Sequence, residues 1–154
     1  NPKLRFIRLE REPVEQIYKT DDVYNENNGF ELFDANSNNC VITYGYTFNK
    51  FYNFISDNNI NITLIDLFRI KPIGSSLVNI LKNYKNIMTI EEHCSSGGFG
   101  SAVLEFLSDN NLNMSVKRFY LDEKYYFENG GREYLLNKNG LSFLEIQKYI
   151  KQFN

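Results

Sequence analysis

The chain has 154 residues, 42% of them hydrophobic and 23% charged, with a formal net charge of −2. That suffices for one domain with its own core, and the absence of any Lys/Arg run removes the basic footprint that nucleic-acid binding needs. No apolar stretch approaches the roughly 18 to 20 residues that cross a bilayer, and a proline and several charges stand where a signal peptide would carry its apolar segment, so a cytoplasmic protein without a membrane partner is expected.

The opening LRFIRL at 4–9 alternates apolar and basic residues and predicts a strand with one buried face, stopped by Pro13. Residues 18–39 are crowded with Asp, Asn and Ser and read as a linker with one short edge element, FELF at 30–33. CVITY at 40–44 reads as a buried strand turning at Gly45 into a helix capped by Thr47, with Phe48, Phe51, Tyr52 and Ile55 at helical spacing. ITLIDL at 62–67 is a second buried strand, followed by a helix around Leu77, Ile80 and Leu81. IMTI at 87–90 is a third strand, EEHCSSGGFGS at 91–101 a glycine-containing turn and AVLEFL at 102–107 a third helix. MSVKRFYL at 114–121 is a fourth strand, and helical spacing returns at 132–138 and again at Leu144, Ile146, Tyr149 and Ile150, with Ser142 placed to cap the last helix. Strands alternating with helices predict an α/β fold, a mainly parallel sheet covered on both faces and joined by right-handed crossovers.

Chemistry is sparse. Cys40 and Cys94 lie far apart without C-x-x-C spacing, which suggests neither a zinc site nor a disulfide framework. The turn containing Gly97 and Gly98 sits where parallel sheets bind anions. It matches neither common nucleotide-loop pattern, and it reads either as a candidate anion site or as a close-packed interface turn. Glu91, Glu92 and His93 place two carboxylates beside the only histidine. Consecutive strand residues face alternate sides, so a shared site is less economical than structural duty, in which a strand-end glutamate satisfies turn amides. Arg8 and Arg11 could grip an anion through the guanidinium fork or be solvated charges.

The order of FIRLER at 6–11, CVITYGYTFNKF at 40–51, ITLIDLFRIKPI at 62–73, IMTIEEHCSSGGFGSAVLEFL at 87–107 and GGREYLLNKNGL at 130–141 resembles the C-terminal region of transketolases and their relatives. The D-L-x-x-I-K-P and E-E-H-x-x-x-G-G-F-G-S-A runs are the specific ones. The resemblance implies a three-layer α/β/α domain on a mostly parallel, mixed five-stranded sheet. It assigns 1–15 to the tail of a preceding pyrimidine-binding module, 16–35 to a linker and 36–154 to the C-terminal domain. It also implies an enzyme that uses thiamine diphosphate and Mg2+ to transfer a two-carbon ketol unit between phosphorylated sugars. This piece would serve assembly, hold no cofactor and no metal and be inactive alone. Its partners would be the thiamine-binding modules, in cis or as a separate subunit, in a homodimer. Within the resemblance, Arg11, and less closely Arg8, match the arginine that meets the sugar phosphate, while Glu92, His93, Gly97 and Gly98 form the candidate anion-binding or interface turn. Deoxyxylulose-phosphate synthases and the beta subunit of 2-oxo-acid dehydrogenases have related domains. A stand-alone ligand- or partner-binding regulatory module is the reading from a different class.

Overall fold

A computed structural model describes residues 4–19 and 28–152. Five strands, β1 (Glu31–Phe33), β2 (Asn39–Thr43), β3 (Thr63–Asp66), β4 (Asn86–Cys94) and β5 (Ser115–Leu121), form one sheet in the order β1-β3-β2-β4-β5. β2, β3, β4 and β5 run parallel, and β1 lies antiparallel on β3. The helices are α1 (Gly45–Asp57), α2 (Leu77–Leu81), α3 (Phe99–Asp109), α4 (Arg132–Lys138) and α5 (Phe143–Ile150). This is the mainly parallel α/β sheet that the strand–helix alternation predicts, and the mixed five-stranded form that the resemblance implies.

The strands' period-two alternation divides the core. Cys40 and Ile42 of β2, Ile65 of β3 and Ile87 of β4 face one layer with Leu77 and Leu81 of α2 and Phe99, Val103 and Leu107 of α3. Val41, Leu64, Met88 and Ile90 face the other, against Phe48 and Phe51 of α1 and Ile146 and Ile150 of α5. Each large side chain that is fully buried contributes about 1.5–3 kcal/mol. Because β2, β3 and the first part of β4 are buried on both faces, their sequences read as continuous apolar runs.

Several sequence expectations change. LRFIRL at 4–9 forms no strand: residues 4–10 pair with nothing in the described sheet, and Leu4, Phe6, Ile7 and Leu9 are all exposed. Alternation supplies a face, but a strand also needs a neighbouring edge to take its backbone groups. The short edge element expected at 30–33 is β1, at the edge of the sheet, while the stretch before it also contributes the core residue Phe30 and the ring of Tyr18 near Phe33 and Phe48. α1 begins at Gly45, before Thr47, which lies buried in its first turn. Gly45 has φ +58°, a left-handed value that turns β2 directly into the helix. Ser142 stands at the N-cap of α5, but its hydroxyl makes no capping bond. β4 continues through Glu91, Glu92, His93 and Cys94, residues expected in the turn, because β5 still pairs alongside, with Cys94 opposite Leu121 across an irregularity.

Candidate functional site at the carboxyl ends of the strands

The extension of β4 puts its polar end at the carboxyl edge of the sheet, where the chain turns into α3. Glu91 follows the alternation onto the α3 face and is fully buried. Its Oε2 accepts the amide of Phe99 at 2.5 Å and its Oε1 that of Gly100 at 2.8 Å. α3 has no side-chain cap of its own, so this carboxylate satisfies free N–H groups of its first turn and sits at the positive end of the helix dipole. Arg118 of β5 stands 3.7 Å from Glu91 Oε1, and it donates to the carbonyl of Ser95 and to Ser101 Oγ at 3.2 Å.

The glycines follow from this carboxylate. A Cβ on Gly98 would collide with Glu91 Oε2 and the Cys94 carbonyl, and one on Gly100 would lie 2.8 Å from Glu91 Oε1 and 2.6 Å from Arg118 Nε. Gly97 has φ +68° with open space around it, so there the backbone conformation, not crowding, suits glycine. The anion at this turn is therefore supplied by the chain itself, in the manner expected of a strand-end glutamate satisfying turn amides.

Glu92 points to the opposite face and meets Arg132, the first residue of α4. Arg132 Nε donates to Glu92 Oε1 at 2.7 Å, and its Nη2 pairs with Glu92 Oε2, a two-pronged contact. Nη1 of the same guanidinium donates to Glu10 Oε2 at 2.9 Å. The guanidinium carbon lies 3.6 Å from the centroid of the buried Tyr46 ring. Tyr46 also donates to Glu133, which pairs with Lys50 at 3.0 Å. The hydrogen bonds from Arg132 hold the Glu10 carboxyl below its ordinary range, and those accepted by Glu92 push the Arg132 guanidinium up.

His93 returns to the α3 side and stacks on Tyr44, with the Tyr44 hydroxyl 2.8 Å from His93 Nδ1. Burial pushes the Tyr44 phenol up to about 12, the charges of Glu91, Glu92 and Glu10 adding to that and Arg8 opposing it. Arg8 is half exposed and lies 3.4 Å from Glu10. Arg11 is exposed and has no ion pair among the described residues. Glu92, Arg8 and the neighbour of Arg11, Glu10, are thus linked in one network, whereas Gly97, Gly98 and Glu91 belong to a second network on the far side of β4.

A further carboxyl group at this edge, Asp66 at the end of β3, is buried and accepts a 2.6 Å hydrogen bond from the Tyr18 hydroxyl. Burial raises it to about 6 against the opposing effect of that bond. Its second oxygen has no hydrogen-bond partner among the described residues. Sequence reasoning singled out none of Arg118, Arg132, Tyr46 and Asp66. Arg132 stood inside the GGREYLL run, but nothing local ties it to Glu10 and Glu92.

The chain belongs to the transketolase C-terminal domain family: residues 32–141 match the family described as "Transketolase, C-terminal domain". Among curated relatives, it is 32% identical over 115 residues to the 1-deoxy-D-xylulose-5-phosphate synthase of Blochmanniella pennsylvanica, a match covering 73% of this chain and 18% of that one. The synthase of the same name from Fusobacterium nucleatum is 28% identical over 150 residues, covering 95% of this chain and 24% of the relative. The chain thus spans about a fifth of the length of these curated relatives. Among solved structures, "Split gene transketolase, inactive beta4 tetramer" superimposes with a TM-score of 0.68 at 22% identity, covering 92% of this chain and 46% of that chain; it shows the shared fold.

Related deoxyxylulose-phosphate synthases and transketolases depend on thiamine diphosphate. Among the described residues, no group of three or more His, Cys, Asp or Glu side chains could hold a metal ion. The α3 amides of Phe99 and Gly100 already serve Glu91. The described residues do not form a cradle for that cofactor.

Proposed function

We propose that this chain is the C-terminal module of a thiamine-diphosphate enzyme that makes 1-deoxy-D-xylulose 5-phosphate, serving in assembly and in presenting the segment around Arg8 and Arg11 to a phosphorylated substrate. The observation that carries the reading is the 32% identity to a synthase of that name over 115 residues. The geometry agrees with a supporting role. The carboxylates at the strand ends are engaged within the fold, Glu91 with helix amides and Glu92 with Arg132. The two arginines stand on an exposed segment tethered at Glu10.

The thiamine-binding modules are the proposed partners, joined in the same polypeptide or as a separate subunit, in a homodimer located in the cytoplasm. The test is a product analysis. The complete polypeptide, with any copurifying subunit, is supplied with thiamine diphosphate and Mg2+ and assayed for 1-deoxy-D-xylulose 5-phosphate. In parallel it is assayed for two-carbon ketol transfer from a phosphorylated ketose to an aldose. Formation of the deoxy sugar phosphate is expected. Ketol transfer without it would move the chain to the transketolase branch. Neither activity, together with a native chain that copurifies with nothing, would leave the regulatory-module reading in its place.

A further inference from the structure

Arg132 gathers groups from four separate parts of the chain: Glu10 in the N-terminal segment, Tyr46 at the start of α1, Glu92 on β4 and its own helix α4. The segment 4–12 has no strand or helix of its own, and Leu4, Phe6, Ile7 and Leu9 are exposed, so apolar burial does not hold it. What fixes its path over the sheet edge is Glu10, whose side chain is 19% exposed amid an exposed segment. Gly45 leaves its Cβ position 3.7 Å from Glu10 Oε1, and on the guanidinium side Glu10 reaches both Arg132 and Arg8. A bidentate, ring-stacked guanidinium is a rigid anchor, since its planar fork loses little freedom on each bond it forms.

We infer that Arg132 is a positioning residue for substrate phosphate, acting through Glu10 to hold Arg11 and Arg8 in place. The inference rests on the proposal above that these arginines meet a phosphorylated substrate. Glu10 immediately precedes Arg11 and lies two residues from Arg8, so freeing it loosens the backbone that carries both arginines and removes the partner of the Arg8 guanidinium. The substrate must then order them on binding, a cost that falls on affinity and not on the chemical step.

The test uses the complete polypeptide with thiamine diphosphate, comparing Arg132→Met, Glu10→Gln and Arg11→Ala. Steady-state kinetics on the phosphorylated substrate are paired with hydrogen exchange of the amides at 8–12. Arg132→Met is expected to raise KM on the order of ten-fold with kcat within about two-fold, as uniform binding loss requires, and to speed exchange at 8–12. Glu10→Gln should do both to a smaller degree, and it keeps the inference testable if Arg132→Met fails to fold. Arg11→Ala should raise KM and leave exchange unchanged. If Arg11→Ala raises KM but Arg132→Met and Glu10→Gln do not, the positioning role is overturned while the phosphate reading stands. If no variant, Arg8→Ala included, moves KM, the phosphate reading fails and this inference with it.

Discussion

Glu91 and Glu92 are neighbours on one strand with the same side chain, yet they build opposite kinds of structure. Glu91, turned inward, is buried, accepts two helix amides and faces Arg118 in a setting closed to water. Glu92, turned to the other face, grips an arginine that is 23% exposed and ties in a segment from the far end of the chain. The period of the strand makes the difference. One step along β4 decides whether a carboxylate holds the domain together or holds something to it.

The largest effect expected is at the inward residue. Glu91→Ala leaves the α3 amides and Arg118 without their counter-charge, a loss of about 3–5 kcal/mol by analogy with broken buried pairs, read as lost hydrogen-exchange protection at Phe99 and Gly100 and a lowered melting temperature.

Asp66 sharpens the comparison, because it is a buried carboxyl with one phenol donor in place of two amides and an arginine. Its folded pKa of about 6 lies above the unfolded value near 3.9. The folded state therefore binds the proton more tightly. Its contribution is most favourable at about pH 4 and below, and declines as pH rises through about 6. Asp66→Asn should remove that decline, so the stability difference between variant and wild type changes by about 2 kcal/mol between pH 4 and pH 7. Thermal melts across that range measure it, and a pH-independent difference would show that the carboxyl does not titrate there.

Gly100→Ala tests the tightness of the Glu91 side, since the new methyl group meets Glu91, Arg118 and Thr89 together. A cost of about 1–3 kcal/mol is expected from overpacking, and Gly97→Ala should show strain from its φ alone. The smallest effect belongs to the outward network. A double-mutant cycle on Glu10 and Arg132 should give a coupling of about 0.5–1 kcal/mol that shrinks as salt is added.

How much of this was legible in the sequence varies with the range of the interactions. Cys40, Val41 and Ile42, or Leu64 and Ile65, declare their strands through β-branched and apolar runs, because burial on both faces is a local property of each segment. The structural duty of a strand-end glutamate was also readable, since Glu91 and the amides it serves are eight and nine residues apart. The extent of β4 was not, because Glu91, Glu92 and His93 break the apolar pattern while the ladder to β5 continues. Arg132 escaped because its partners are 40 and 122 residues away, and no spacing rule spans such gaps. LRFIRL shows the converse: its alternation is plain, but among the described residues it has no edge to pair with.

The measurement that bears most directly on the division between the two faces of β4 is a paired one on the complete enzyme, comparing Glu91→Gln with Glu92→Gln in melting temperature and in KM for the phosphorylated substrate. Glu91→Gln should lower the melting temperature and leave KM unchanged, while Glu92→Gln should raise KM with little change in melting temperature. The same response from both variants, or the reverse pattern, would contradict it.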